Sequence, residues 1–193
     1  WAENIPRSLG ETSIQNSLCF ASYWQGAQIS FARVITDQAT FAYLADVNEA
    51  ILPDRQKSIA ELQNGRAPKT VGDFRSILDD SSVDAVVVAT PDHWHAIATV
   101  WACQAGKDVY VEKPITHSAW EGRKMVQAAR KYKRMVQVGT QCRSSPHIIE
   151  GVKKAQEGVI GRIYMGRALS YKVHGNLGRH QPTRPPAELD WTL

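Results

Sequence analysis

Two short apolar runs, each closed by polar residues, constrain this chain more than any other feature: VDAVVVATP from Val83 to Pro91 and KDVYVEKP from Lys107 to Pro114. Neither is long enough for a helix, and neither alternates apolar with polar residues. An unbroken Val and Ala run of this kind marks a parallel strand covered on both faces. Between the runs Asp92 opens a predicted helix whose apolar positions, Ile97, Val100 and Trp101, fall at helical spacing, and Gly106 stands where a left-handed C-terminal cap belongs. Strand, helix and strand of these lengths make a right-handed crossover of a parallel sheet, whose ligands bind beyond the carboxyl ends of the strands. Thr90, Pro91, Asp92 and His93 occupy one such end, and Glu112, Lys113 and Pro114 the other.

The same alternation extends in both directions. Strands are predicted near 41–47, 69–71, 83–89, 108–112 and 135–138. A helix over 50–62 must hold Pro53 in its first turn, and a short one over 74–78 is capped by Asp73. Ser118 and Glu121 form a capping box that opens a helix running to about Lys133. The pattern predicts an α/β domain with a doubly wound parallel sheet, Rossmann-like, over residues 41–145. Residues 1–40 show no sustained period and read as an irregular or atypical segment, which leaves that domain incomplete at its N-terminus. From Pro146 a helix carries Ile148, Ile149, Val152 and Ala155 to Gly158. A longer strand, Ile160 to Val173, then alternates near Ile163, Met165 and Ala168, more like one face of an open sheet. This change of strand character predicts the start of a second α/β domain over 146–193. The tail around Pro182, Pro185 and Pro186 reads as loop.

Composition narrows the partners. The 193 residues begin with Trp1 and stop within an apolar segment at Leu193, so a fragment is expected. A hydrophobic share of 43% with 22% charged residues describes an ordinary globular chain. The net charge of +4 is spread through helices and tail, which describes a solvated surface rather than a nucleic-acid partner. Cys19, Cys103 and Cys142 are odd in number and without metal-site spacing, so neither a disulfide framework nor a zinc site is expected, and a reducing, cytoplasmic location is the default. No run approaches the ~18 apolar residues of a membrane span, so no membrane partner is expected.

Several strand-end residues have a chemistry of their own. Asp46 ends a strand where a dinucleotide-binding fold needs a carboxylate for the adenosine ribose hydroxyls; a solvated turn residue is the alternative, and the residues alone do not choose. The glycine-rich phosphate loop that belongs upstream is missing, since Ser17 to Gly26 offers one glycine where the turn needs three. Lys113 is fixed from behind by Pro114, so its ammonium can point into the crevice and orient a hydroxyl or polarise a carbonyl, against the ordinary reading of a surface lysine. His93 and His95, flanking Trp94, are too close in sequence to share a metal with any obvious third ligand, so zinc is not expected. His95 either donates to a nucleotide or fills a polar corner, and both readings stay open.

VVVATPDHWHA, GKDVYVEKP and VQVGTQCRSS, in that order at strand ends, resemble the Gfo/Idh/MocA family of glucose-fructose oxidoreductase and inositol dehydrogenase relatives. The resemblance runs from Phe41 to Leu193. It implies an NAD(P)-binding Rossmann domain followed by an α/β domain that often mediates a homo-oligomer. It further implies that Thr90, Pro91 and His95 lie along the cofactor, that Glu112 and Lys113 stand near the nicotinamide with Lys113 also binding the substrate hydroxyl, and that Gln141 adds a contact. Asp46 matches the acidic ribose-binding position, which implies NAD rather than NADP. The implied reaction is hydride transfer between nicotinamide and a carbon of a sugar or cyclitol. The family's later Asp-x-x-x-His pair would fall beyond Leu193, so impaired or absent activity is expected of this chain by itself. A non-catalytic Rossmann-like module and an NAD-dependent, redox-assisted glycosidase are the competing expectations.

Overall fold

The computed structural model describes the backbone of residues 17–22 and the whole of 39–169, 178 and 181–190. In chain order these form β1 (Ser17–Ser22), β2 (Thr40–Ala45), a 3-10 turn (Glu49–Ile51) running into α1 (Leu52–Leu62), β3 (Lys69–Val71) and α2 (Arg75–Leu78). There follow β4 (Val83–Ala89), α3 (Asp92–Gln104), β5 (Asp108–Glu112), α4 (Ala119–Tyr132), β6 (Val136–Gly139), a second 3-10 turn (Gln141–Ser144) and α5 (Pro146–Gln156).

The six strands make one sheet in the order β3-β2-β1-β4-β5-β6, with every pairing parallel. The chain winds outward from β1 to β3, returns to the other side of β1 at β4, and winds outward again to β6. The reversal lies between β1 and β4, and a doubly wound sheet opens its ligand crevice beyond the carboxyl ends of the strands at that point.

Alternate residues of the central strands enter opposite cores. Val86, Val88, Val109 and Val111 pack with Ala98, Ala102 and Cys103 of α3 and Met125 and Ala128 of α4. Val87, Ala89 and Tyr110 pack on the other face with Phe41, Leu44, and Leu52 and Ile59 of α1. Burial on both faces is what the unbroken valine runs predict, and each fully buried valine contributes about 1.5–3 kcal/mol of transfer free energy. Local signals then set the ends of the helices. Pro53 lies in the first turn of α1. The Ser118 and Glu121 capping box opens α4. Gly106, at φ +78°, lets Lys107 N–H reach back 2.9 Å to Ala102 O and close α3.

Four expectations are corrected. The stretch read as irregular contains β1, the strand at the centre of the sheet, because pairing with β2 on one side and β4 on the other makes SLCFAS a strand where its own pattern does not. Residues 1–16 and 23–38 lie outside the described residues, and so does the Tyr23 to Gly26 end of the expected glycine-poor turn. Of the apolar positions of α3, Val100 packs against the core, but Ile97 is 41% exposed, and the buried residues of the helix are His95, Ala96, Ala98, Thr99, Ala102 and Cys103. Small side chains let the helix approach closely, and apolar spacing alone does not report size. The expected strand from Ile160 is absent over 161–169, which hold no regular element. Its alternating residues are exposed, Ile163 at 54% and Met165 at 63%, and among the described residues 161–169 pair with no strand. Finally, β6 begins one residue later than expected, leaving Met135 outside the strand.

The chain divides into two compact units, one formed through Gly139 together with the segment from Pro186, the other spanning Thr140–Pro185. No helix among the described residues is long and apolar enough to cross a membrane.

Candidate functional site

The register of the sheet brings the predicted residues of the first unit to one edge. Ala45 pairs with Ala21, and Ala89 with Ser22, so Asp46 and Thr90 follow on either side of the end of β1. Val111 pairs with Val88, and Glu112 with Gly139, which carries Glu112 and Lys113 to the same carboxyl edge.

Asp46 is 5% exposed. Its Oδ1 accepts the Asn48 N–H at 2.9 Å, while Oδ2 is buried without a partner. Burial pushes the carboxyl up to about 6, against the opposing pull of the Asn48 amide and the Arg55 charge. Across the end of β1, Thr90 Oγ1 is likewise buried and without a partner. Only one other described side-chain oxygen shares that state, Thr99 Oγ1 within α3. Buried polar atoms are ordinarily satisfied, and these two orphans flank the switch point of the sheet.

His95 lies behind this edge, 2% exposed. Its Nε2 is 2.7 Å from Thr90 O and its Nδ1 is 2.6 Å from Pro114 O. The ring is therefore a strut between the end of β4 and the turn after β5, and both nitrogens are engaged by backbone carbonyls. Pro91 stands before the first turn of α3 in an extended conformation, with its carbonyl accepting the Trp94 N–H at 2.9 Å.

After β5, the Lys113–Pro114 peptide is cis, Lys113 is exposed, and its N–H donates to Glu112 Oε2 at 3.1 Å. Gly139 holds the space beside this turn. A Cβ there would stand 2.8 Å from Tyr110 Oη and 3.0 Å from Glu112 Cδ and Oε1, so only a glycine lets these two side chains lie against β6. That role was not read from the sequence, where Gly139 looks like any strand-ending glycine. Gln141 lies in the second unit, exposed in the first residue of its 3-10 turn. Cys103 is in the core, where burial, followed by the Asp108 charge, pushes its thiol up to about 11; it is no nucleophile. Among the described residues no group of three His, Cys, Asp or Glu could hold a metal ion.

A parallel, doubly wound sheet with an acidic residue after β2 and orphaned oxygens at its reversal point defines a dinucleotide-binding α/β domain. Residues 31–140, more than half of the chain, match the model of the Gfo/Idh/MocA oxidoreductase family with an NAD-binding Rossmann fold, and the chain belongs to that family. Levoglucosan dehydrogenase of Pseudarthrobacter phenanthrenivorans is 35% identical over 63% of this chain and 30% of its own length. Inositol 2-dehydrogenase 2 of Saccharopolyspora erythraea is 31% identical over 81% of this chain and 44% of its own. The scyllo-inositol dehydrogenase of Lactobacillus casei, solved with NAD(H) and scyllo-inositol bound, superposes with a TM-score of 0.65 over 76% of this chain and 42% of its own, at 22% identity, a likeness of fold. The chain thus spans less than half the length of these relatives.

Proposed function

We propose that this chain carries the cofactor-binding half of an NAD-dependent oxidoreductase that acts on a hydroxyl-bearing carbon of a sugar or cyclitol. The observation that carries the reading is the pair of orphaned oxygens, Asp46 Oδ2 and Thr90 Oγ1, on either side of the end of β1. Both fit a dinucleotide, Asp46 as acceptor for the adenosine ribose hydroxyls and Thr90 as a hydrogen-bonding group along its length. The dinucleotide, when bound, supplies the hydride acceptor. Lys113 donates a hydrogen bond from its ammonium to the substrate hydroxyl and orients the carbon beneath it, while His95 and Pro114 hold the backbone from which it projects. Asp46 favours NAD, because its carboxylate repels a 2′-phosphate. The names of relatives do not make that choice, since a D-xylose 1-dehydrogenase of Hypocrea jecorina that is 34% identical over 50% of this chain uses NADP(+). Gln141 is proposed as a further contact, and the stretch from Pro146 to Pro185 as the start of the substrate-side domain, the segment from Pro186 belonging with the sheet.

Calorimetry of the full chain with NAD+ and NADP+ tests the reading. Saturable binding of NAD+, tighter than that of NADP+, is expected; absence of binding to either would leave a non-catalytic module as the better account. In a longer chain that oxidises myo-inositol or levoglucosan, Lys113→Ala should abolish NADH formation while NAD+ affinity stays within about twofold, as expected when only a substrate-orienting group is lost. Release of free sugar from a glycoside without net NADH would identify the glycosidase alternative.

A further inference from the structure

The last described segment, Pro186–Asp190, returns to the first unit and lies antiparallel against the turn that follows β2. Asp190 N–H donates to Val47 O at 3.0 Å, Glu188 O accepts the Glu49 N–H at 3.1 Å, and Leu189 stands opposite Asn48 between them. The segment is shaped by its own turn, in which Leu189 N–H reaches Pro186 O at 3.2 Å. We propose that Pro186–Asp190 is a positioning strap for the ribose end of the dinucleotide site, pinning the turn in which Asp46 stands.

The strap acts through Asn48. That residue's N–H holds Asp46 Oδ1, and its own Oδ1 accepts the Ala50 N–H at 3.0 Å, so its position decides both the aim of the carboxylate and the start of the 3-10 turn. A strand-end turn of this kind opens easily when nothing covers it. Here the residues on both sides of Asn48 are tied down by one hydrogen bond each, to a stretch that follows the whole of the second unit in sequence. Pinned in this way, Oδ2 keeps the fixed position that a bidentate grip on two ribose hydroxyls needs, and the carboxylate cannot swing aside to admit a 2′-phosphate. Glu49, Glu188 and Asp190 bring three more acidic residues to the same turn, which adds to the bias against that phosphate. The chain beyond the second unit therefore completes the cofactor site of the first.

The inference rests on the NAD reading above, and the test separates the two. Asp190→Pro removes the donor to Val47 O, while Asp190→Asn keeps the donor and removes the charge. Amide exchange of the full chain should show Glu49 N–H protected in the parent and in Asp190→Asn but fast in Asp190→Pro, with Val88 N–H equally protected in all three. By calorimetry, Asp190→Pro should weaken NAD+ binding about fivefold to tenfold, the loss expected from one structural hydrogen bond, and leave NADP+ binding within about twofold. A chain ending at Pro185 is the second variant and should behave like Asp190→Pro. Unchanged Glu49 exchange in both strap variants, or unchanged NAD+ affinity in a parent that binds NAD+, would overturn the strap. So would an Asp190→Asn that reproduces the whole loss, since charge rather than pinning would then be responsible. A parent that binds neither dinucleotide overturns the NAD reading and, with it, the strap's role in the site.

Discussion

In the sheet unit Val88 and Val111 are fully buried and Met125 is 2% exposed, whereas in the unit Thr140–Pro185 the comparable residues Ile149, Val152 and Ile163 are each more than half exposed. Both regions carry apolar residues at regular spacing, and both contain well-formed local structure. The difference is that the apolar runs of the first unit are buried by the strands and helices beside them, while Ile149, Val152 and Ile163 of the second stay exposed. Periodicity makes an element possible. Only a packed partner turns its apolar face into stability, because the gain comes from area removed from water and not from the pattern itself.

The sharpest way to break this contrast is a matched pair of truncations. Met125→Ala should lower stability by about 2–5 kcal/mol, the range for emptying a buried site of that size. Ile149→Ala in α5 should stay within about 0.5 kcal/mol. Urea denaturation of both variants of the full chain checks the pair, and equal losses would mean that α5 is as well packed as α4.

Gly139→Ala should come next, with a loss of about 1–3 kcal/mol from overpacking. The added Cβ meets Tyr110 Oη and the Glu112 carboxyl at 2.8 and 3.0 Å, so the turn bearing Lys113 must shift along with them. The same measurement checks it, together with the amide chemical shift of Lys113.

A pH-dependent effect concerns the carboxylate that the sheet unit buries. Folded Asp46 keeps its proton up to about pH 6, while in the unfolded chain it is lost near 3.8. Between those values the native state holds the extra proton, so this residue's contribution is fully present below pH 3.8 and disappears as pH rises through 6. Asp46→Asn should remove that part of the pH dependence of stability. NAD+ binding should show the opposite dependence, weakening as pH falls below about 6, because the ribose hydroxyls need the ionised acceptor.

Much of this could be read from the residues alone. The strands at 69–71, 83–89 and 108–112, the capping box at Ser118, the proline in the first turn of α1 and the glycine after α3 all follow from signals within a few residues, since the physics that sets them is local. The strand-end sequences carried the family as well, and Asp46, Thr90, Glu112 and Lys113 reach a single edge because a parallel sheet delivers every carboxyl end to the same side. What local pattern could not express was decided by partners distant in the chain. SLCFAS becomes the central strand only between β2 and β4, and the equally regular stretch after Ile160, which pairs with no strand among the described residues, holds no regular element over 161–169. His95 becomes a strut only when Pro114 O is brought within 2.6 Å, and Gly139 becomes indispensable only beside Tyr110 and Glu112. Backbone conformation answers to neighbours in sequence, but hydrogen-bond partners and room for a side chain are properties of space, and these the tertiary structure alone decides.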